Sequence, residues 1–321
     1  MSDATTRYVA VGYDGSPSAG LALDWAADEA ALRGCALRIG HAWEHAPDRV
    51  PGPAVPEPAP APTPGPAMPE PDEPQVPGPA VPQPAQPPGA SRQAVDSLLT
   101  EARERAAARH PGLDATTAVL TDSPVHGLLR MSADAELLVV GSRGQGRFVS
   151  LMLGSVSHAV ATYAEVPVAV VRPGEAERPA ETSGPVVIGV APDEPPEPVM
   201  FAFAEAERRG VGLEAVRSWT YPQVYPGHRG VSPAEEARRD REEAEDLDKA
   251  LADGRASHPD VRVTTSVGLA EPAAALVAAS RRAGLVVVGA RRKRGRMSMP
   301  LGIVSQRVLH HGLCPVIVVP V

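Results

Sequence analysis

The residues best placed to do chemistry lie in the first half of the chain. Asp14 directly follows a short apolar run, Tyr8–Tyr13, and precedes Gly15. Further on, a second apolar run, Leu137–Gly141, leads into Gly141-Ser142-Arg143-Gly144, and nine residues later comes Gly154-Ser155. Glycines lack a Cβ and adopt unusual φ readily, so the N–H groups of Gly141 and Gly144 are expected to point at a ligand oxygen. Gly154-Ser155 reads as a helix start, where unpaired N–H groups and the positive dipole end favour an anion. The Ser155 hydroxyl would add a hydrogen bond, and Arg143 or Arg147 would supply positive charge. The chemistry is phosphate binding. Glycines after strands also serve as plain turn punctuation, and Asp14-Gly15 reads equally as a turn and cap.

No catalytic machinery accompanies this constellation. The chain has no GxxxxGK[ST] loop and no GxSxG elbow. The GxGxxG order of a dinucleotide-binding dehydrogenase is absent after the first strand. His310 and His311 are adjacent, so on a helix they point about 100° apart and suit no shared metal. His126 and His158, near the expected pocket, read as ordinary helix residues. Cys35 and Cys314 stand far apart with no metal-ligand spacing around them, as expected of thiols in a reducing compartment.

The elements that must position these residues alternate between strand and helix. Tyr8–Tyr13 is the first strand, and Ser16-Pro17-Ser18 opens a helix through Leu21, Trp25 and Leu32. Leu37–Trp43 is the second strand, Ser91–Arg109 an exposed charged helix, Thr116–Thr121 the third strand. Ser123-Pro124 opens another helix, Leu137–Gly141 is the fourth strand, Gly154–Tyr163 a short helix and Val166–Val171 the fifth strand. The strands are continuous apolar runs, which marks parallel strands covered on both faces. The fold class is therefore α/β, with a doubly wound parallel sheet.

The chain repeats this pattern. Gly141 and Gly289, Leu153 and Leu301, Pro167 and Pro315, Pro124 and Pro272 all stand at one constant interval. Gly12 with Gly189 and Trp43 with Trp219 are farther apart by roughly thirty residues, the size of an insertion in the first copy. Second-copy strands are expected near Val186–Val190, Leu213–Trp219, Val261–Val267, Leu285–Gly289 and Val316–Val319, with a charge-rich helix from Pro233 to about Ala256. The inserted residues, about 46–90, hold about half of the chain's 37 prolines. Proline lacks an N–H and fixes φ, so this stretch is expected to be extended and partly disordered. It is either a tolerated excursion or a docking segment for a proline-reading partner. The domains are then 1–174 and 185–321, joined by 175–184.

The opening Val9-Ala10-Val11-Gly12-Tyr13-Asp14-Gly15-Ser16, the spacing Gly141-x2-Gly144-x9-Gly154-Ser155, the His41-Ala42-Trp43 strand end and the closing Cys314-Pro315-Val316-Ile317-Val318-Val319 are similar to the universal stress protein family. The resemblance covers nearly the whole chain apart from the insertion. It implies two five-stranded domains with strand order 3-2-1-4-5. It implies an adenine nucleotide, ATP or a relative, bound by the first domain through Asp14, Ala42, Gly141, Ser142, Arg143, Gly144, Arg147, Gly154, Ser155 and Val156. Asp14 inherits the place against the nucleoside, and His41 or Ala42 the place beside adenine. Magnesium would enter with the phosphates and hydrolysis would be slow at most, in a stress or signalling role. A nucleotide-independent interaction scaffold and a cyclic-nucleotide sensor remain alternatives. One departure is Asp122, where the family often has glycine: a carboxylate near phosphate repels it unless an arginine or metal offsets the charge.

The second copy departs further. Asp14 corresponds to Ala191, Gly144 to Arg292 and Ser155 to Ile303, which together should abolish the pocket. The basic run Arg291–Arg296 reads as a solvated loop. Family members commonly pair through the fifth strand. The apolar strands Val166–Val171 and Val316–Val319 are therefore expected to pair edge to edge within one chain as a pseudo-dimer. Pairing between chains stays open.

Composition sets the remaining bounds. The chain has 321 residues, 43% hydrophobic and 22% charged, enough apolar material for two separate cores. Its formal net charge of −8 argues against a nucleic-acid coat or an anionic-membrane binder. No apolar run approaches the ~20 residues of a membrane helix, and no charged-then-apolar leader opens the sequence, so a cytoplasmic location is expected.

Overall fold

The computed structural model describes residues 7–43, 91–143, 153–172, 184–221, 232–290 and 301–321. The proline-rich segment 46–90, Gly144, Arg147, residues 175–183 of the linker and the run Arg291–Arg296 lie outside the described residues.

The first domain runs β1 (Tyr8–Gly12), α1 (Pro17–Arg33), β2 (Ala36–Ala42), α2 (Arg92–Arg109), β3 (Ala115–Leu120), α3 (Pro124–Met131), β4 (Leu137–Gly141), α4 (Ser155–Tyr163) and β5 (Val168–Val171). The second repeats the order with β6 (Val186–Gly189), α5 (Pro196–Arg209), β7 (Leu213–Trp219), α6 (Pro233–Ser257), β8 (Val263–Leu269), α7 (Pro272–Ala279), β9 (Leu285–Ala290), α8 (Ile303–His311) and β10 (Val316–Pro320). Local chemistry sets the helix ends. Ser16 caps α1, its Oγ accepting from the Ala19 N–H at 3.2 Å, and Pro17 occupies the first turn. Gly34, at φ 61°, ends α1 in a left-handed turn, and Gly210, at φ 64°, ends α5 in the same way.

Each domain has the order 3-2-1-4-5, but the two sheets are one. The ten strands run β3-β2-β1-β4-β5-β10-β9-β6-β7-β8. Pairs within each domain are parallel; the joint is antiparallel, with Val168 opposite Val318, Ala169 opposite Ile317 and Val170 opposite Val316. The two apolar fifth strands expected to meet do so. Ala169 and Ile317 stand at the repeat interval, so a pseudo-two-fold axis passes between them. On one face, the same axis brings His158 of α4 to 3.5 Å from Gln306 of α8, again repeat partners.

The interior departs from the expected pair of separate cores. Apolar side chains divide by sheet face and not by domain. One layer joins Val9, Val11, Leu137 and Val139 to α1, α2, α5 and α6, and continues through Val186, Ile188 and Ile317. The other joins Ala10, Leu138, Val140 and Val168 to α4, and continues through Val286, Val316 and α8. Successive residues of β4 point to opposite layers, which is why its sequence is apolar throughout. On the first layer, paired carboxylates of α1 clamp α2. Arg105 donates twice to Asp24, at 2.6 Å each, and Arg109 twice to Asp28, at 2.6 and 2.7 Å.

Two predictions follow from this packing. Gly254 of α6 lies flat against the fully buried Phe203 ring of α5, where any Cβ would overlap ring carbons. Overpacking of this kind costs about 1–3 kcal/mol, so Gly254→Val should lower the melting temperature by roughly 2–10 °C, read by calorimetry. His310 is half-buried, and burial, then Arg172, His158 and His311, lower its pKa below 6.5. The unfolded chain therefore binds the extra proton more tightly, and stability falls as pH drops through the unfolded value. His310→Gln should shrink the loss of denaturation midpoint between about pH 7.5 and 5.5; an unchanged loss would exclude His310 as its source.

Candidate functional site

The carboxyl ends of β1 and β4 lie side by side, because the two strands pair through Val9–Leu137, Ala10–Leu138 and Val11–Val139. Strand order reverses at this point, β1 leading outward to β2 and β4 to β5. The helix after β1 packs on one face of the sheet and the helix after β4 on the other. The chain thus parts above the strand ends, the place where open α/β sheets take ligands in a crevice.

Hydrogen bonds tie the walls of this crevice together. Asp14 accepts from the Ser16 N–H through Oδ1 at 2.9 Å, closing a tight turn over Gly15 at φ 78°. The Tyr13 N–H donates to Gly40 O at 2.8 Å, and His41 Nδ1 lies 2.8 Å from Tyr13 O. These bonds join the end of β2, with Ala42 as its last residue, to the turn that carries Asp14. Across the crevice, Ser18 of α1 accepts from the Arg143 N–H through Oγ at 3.2 Å. The Gly154 N–H donates to Ser142 O at 2.8 Å, and Ser157 Oγ donates to Gly141 O at 2.6 Å. Burial raises the Tyr13 phenol pKa above its ordinary value of 10.0, so Tyr13 stays neutral near neutral pH.

This geometry changes the parts played by two predicted residues. Gly141 was expected to bare its backbone to phosphate at an unusual φ. Among the described residues the glycines at positive φ are Gly15, Gly34, Gly112 and Gly210. The missing Cβ of Gly141 serves packing instead: a Cβ there would lie 2.7 Å from both Ser18 O and Ser18 Oγ. Glycine lets the first turn of α1 close on the end of β4. Ser142 is buried, and its N–H already donates to Val171 O at 2.7 Å. Both residues fix the frame: Gly141 lets Ser18 approach, and the Ser142 N–H is taken by Val171 O.

Among the described residues, donors for an anion are available at the start of α4. Gly154 is its N-cap, with no side-chain cap bond, and His158 is the first residue whose N–H bonds back, to Gly154 O. The first-turn N–H groups of Ser155 and Val156 therefore carry no side-chain cap, and the Ser155 side chain is exposed. Arg143 is exposed at the crevice edge. Asp122, whose charge threatened phosphate binding, forms an ion pair with Arg130. Asp14, Ala42, Gly141, Ser142, Arg143, Gly154, Ser155 and Val156 thus share one end of the sheet.

Two residues of the frame escaped the sequence reading. Ser18 and Ser157 brace the strand end, yet serines near helix starts carry no distinctive pattern. Ser157 had one signal: its repeat partner Ser305 makes the same bond, Oγ to Gly289 O at 2.9 Å.

The second domain keeps the frame and alters the opening. The Ala191 N–H donates to Glu194 Oε2 at 3.1 Å, and Ala191 O accepts from Arg217 Nη1 at 3.3 Å. Asp193 is the one non-glycine residue at positive φ among those described, 52°. It turns Glu194 onto Gly289, whose absent Cβ would overlap the carboxylate. A neutral serine abuts the strand end in the first domain; a carboxylate does so here. Ile303 is exposed at the first position of α8.

Residues 5–172 and 183–320 each match the universal stress protein family. A universal stress protein of Mycobacterium tuberculosis is 33% identical over 312 residues, covering 97% of this chain and 96% of that protein. Another, from Mycolicibacterium smegmatis, is 32% identical over 321 residues and 99% of each chain. The crystal structure of a universal stress protein from Archaeoglobus fulgidus shares the fold with a TM-score of 0.61 at 16% identity, covering 98% of this chain and 99% of that one. With both halves matched and nearly full-length relatives at this identity, the chain belongs to the universal stress protein family as a tandem pair of its domains.

Proposed function

We propose that the first domain binds an adenine nucleotide, ATP or a close relative, and that the second does not. The observation that carries this reading is the uncapped first turn of α4, held beside Asp14 by the bonds from Ser18 to Arg143 and from Gly154 to Ser142. The phosphates rest on the Ser155 and Val156 N–H groups and the Ser155 hydroxyl, where the helix dipole favours negative charge. Arg143, with Gly144 and Arg147 from the segment between β4 and α4, completes the cradle. Asp14 accepts from a nucleoside hydroxyl, and small Ala42 leaves room for a base at the end of β2.

Among the described residues no group of three or more His, Cys, Asp and Glu side chains converges as a cation cage. Magnesium would enter with the phosphates, since this ion keeps several waters and binds largely through phosphate oxygens. In this reading the protein is a nucleotide-responsive member of its family, with hydrolysis slow at most. In the second domain, Ala191 removes the acceptor for a nucleoside hydroxyl, Ile303 removes the helix-start hydroxyl, and Glu194 adds a negative charge beside the strand end. Among the described residues no helix is long and apolar enough to cross a membrane.

Titration calorimetry tests the assignment. Wild type should bind one ATP per chain. Gly144→Arg should weaken it by at least about a hundredfold, and Asp14→Ala by about tenfold, the worth of one good charge-assisted hydrogen bond. Ile303→Ser should leave the stoichiometry at one. Equal affinity in wild type and Gly144→Arg would remove the site from the first domain. No heat and no thermal shift with ATP would favour a nucleotide-independent scaffold, and tighter binding of a cyclic nucleotide in the same titration would favour a sensor. Gly141→Ala should also weaken ATP, although Gly141 touches no ligand in this reading, because its Cβ pushes Ser18 and α1 off the crevice wall.

A further inference from the structure

The C-terminal ends of α1 and α5 meet beside the pseudo-two-fold axis, on the sheet face opposite α4 and α8. Each brings the same short sequence: Glu29-x-x-x-Arg33-Gly34 and Glu205-x-x-x-Arg209-Gly210. The four charged side chains close a ring. Arg33 pairs with Glu29 of its own helix and, at 2.6 Å, with Glu205 of the other domain. Arg209 pairs with Glu205 of its own helix and with Glu29 of the other. Every carboxylate thus meets both guanidiniums, one within its helix and one across the interface. The ring is shut off from water: side-chain exposure is 2% for Arg33, 1% for Glu205, 5% for Glu29 and 14% for Arg209. Burial draws the Arg33 pKa downward despite its acidic neighbours.

Such a ring is a poor source of net stability. Desolvating four charges costs nearly what their attraction returns, and neutral residues of similar volume often do as well. What burial does enforce is matching, because one unpaired charge in this place is severely penalised. The arrangement is also self-complementary: a helix with Glu and Arg one turn apart fits another helix with the same pair, turned about a two-fold axis.

We infer that Glu29, Arg33, Glu205 and Arg209 form a pairing code, which admits as partner only a domain presenting Glu and Arg one turn apart at the end of the helix after its first strand. The sister domain of the same chain is the partner it fits in this structure. The antiparallel joint of β5 and β10 supplies adhesion through main-chain bonds and Val and Ile side chains, which any domain of this fold can offer. The ring supplies discrimination. The code is independent of whether nucleotide binds.

Charge exchange in the full-length chain tests it. Glu29→Arg with Arg33→Glu sets a cation against Arg209 and a carboxylate against Glu205. Glu205→Arg with Arg209→Glu does the same from the other side. Each half-exchange should lower the melting temperature by roughly 10 °C or more. Each should also expose the Val168–Val170 and Val316–Val318 amides to hydrogen exchange, since the joint opens when the domains part. The fourfold exchange restores every pairing and should recover more than half of both losses. Recovery is incomplete because Glu136, 4.0 Å from Arg33, and Arg208, paired with Glu205, keep their signs. A neutral, apolar set, Glu29→Leu, Arg33→Met, Glu205→Leu and Arg209→Met, should melt within a few degrees of wild type. A fourfold exchange as damaged as the halves would overturn the code. So would half-exchanges that behave as wild type, and a neutral set that falls as far as the halves would show a stabilising bridge in place of a selective one.

Discussion

The candidate site depends on one close approach: the first turn of α1 against the end of β4. Parallel strands with helices on opposite faces leave a gap at the point where strand order reverses, but its width is not given by the fold alone. Gly141 sets it. With no side chain there, Ser18 comes near enough to take the Arg143 N–H, and the same strand end receives Ser157 from α4. The loop after β4 is thereby pinned at its origin from both helices. The first turn of α4, left without a side-chain cap, is thereby tied to the end of β4. In the proposed nucleotide reading, phosphate affinity belongs to the frame as much as to the donors, because preorganised N–H groups need no reordering when a ligand arrives.

Much of the fold was legible because each layer of the sequence agrees with the next. The continuous apolar runs of β4 and β9 demanded burial on both faces, the Ser-Pro starts fixed helix entries, and the constant interval between repeat partners exposed the duplication. The pairing of β5 with β10 was readable from two apolar edge strands together with the family resemblance, whose members commonly pair there. The division of the interior was not. Composition counts apolar residues but does not say which face each takes once two sheets join into one.

The site was legible by position and less so by role. Asp14, Ala42 and Gly154-Ser155 fall at the expected strand and helix ends. Gly141 and Ser142 fall there too, and the structure gives them a packing part that the sequence did not announce. A glycine in sequence looks the same whether its missing Cβ makes room for a phosphate or for Ser18. Glu194 shows the converse limit. The repeat alignment pointed to Ala191 as a simple loss, whereas the loop has gained a charge: Asp193 takes a left-handed turn that only a few residue types tolerate, and thereby delivers a carboxylate to Gly289. Losses are visible in an alignment of repeats; a side chain swung in from three residues away is not.

The two copies have therefore diverged unevenly, and the pattern separates what each part is for. The crevice has changed in the second domain at Ala191, Glu194 and Ile303. The Glu-x-x-x-Arg-Gly helix ends have stayed alike in both, as have the Ser157 and Ser305 braces. A duplicated domain freed from ligand binding can lose its crevice at little cost to folding, because phosphate donors contribute nothing to the empty fold. It cannot lose its half of a buried charge ring, since the charges left on the sister helix would then face apolar surroundings without partners. In the proposed reading, pairing outlasts binding because buried charge imposes a reciprocal constraint on both domains. An open helix start imposes none: α8 begins without a side-chain cap as α4 does, yet Ala191 and Ile303 stand where the first domain has Asp14 and Ser155.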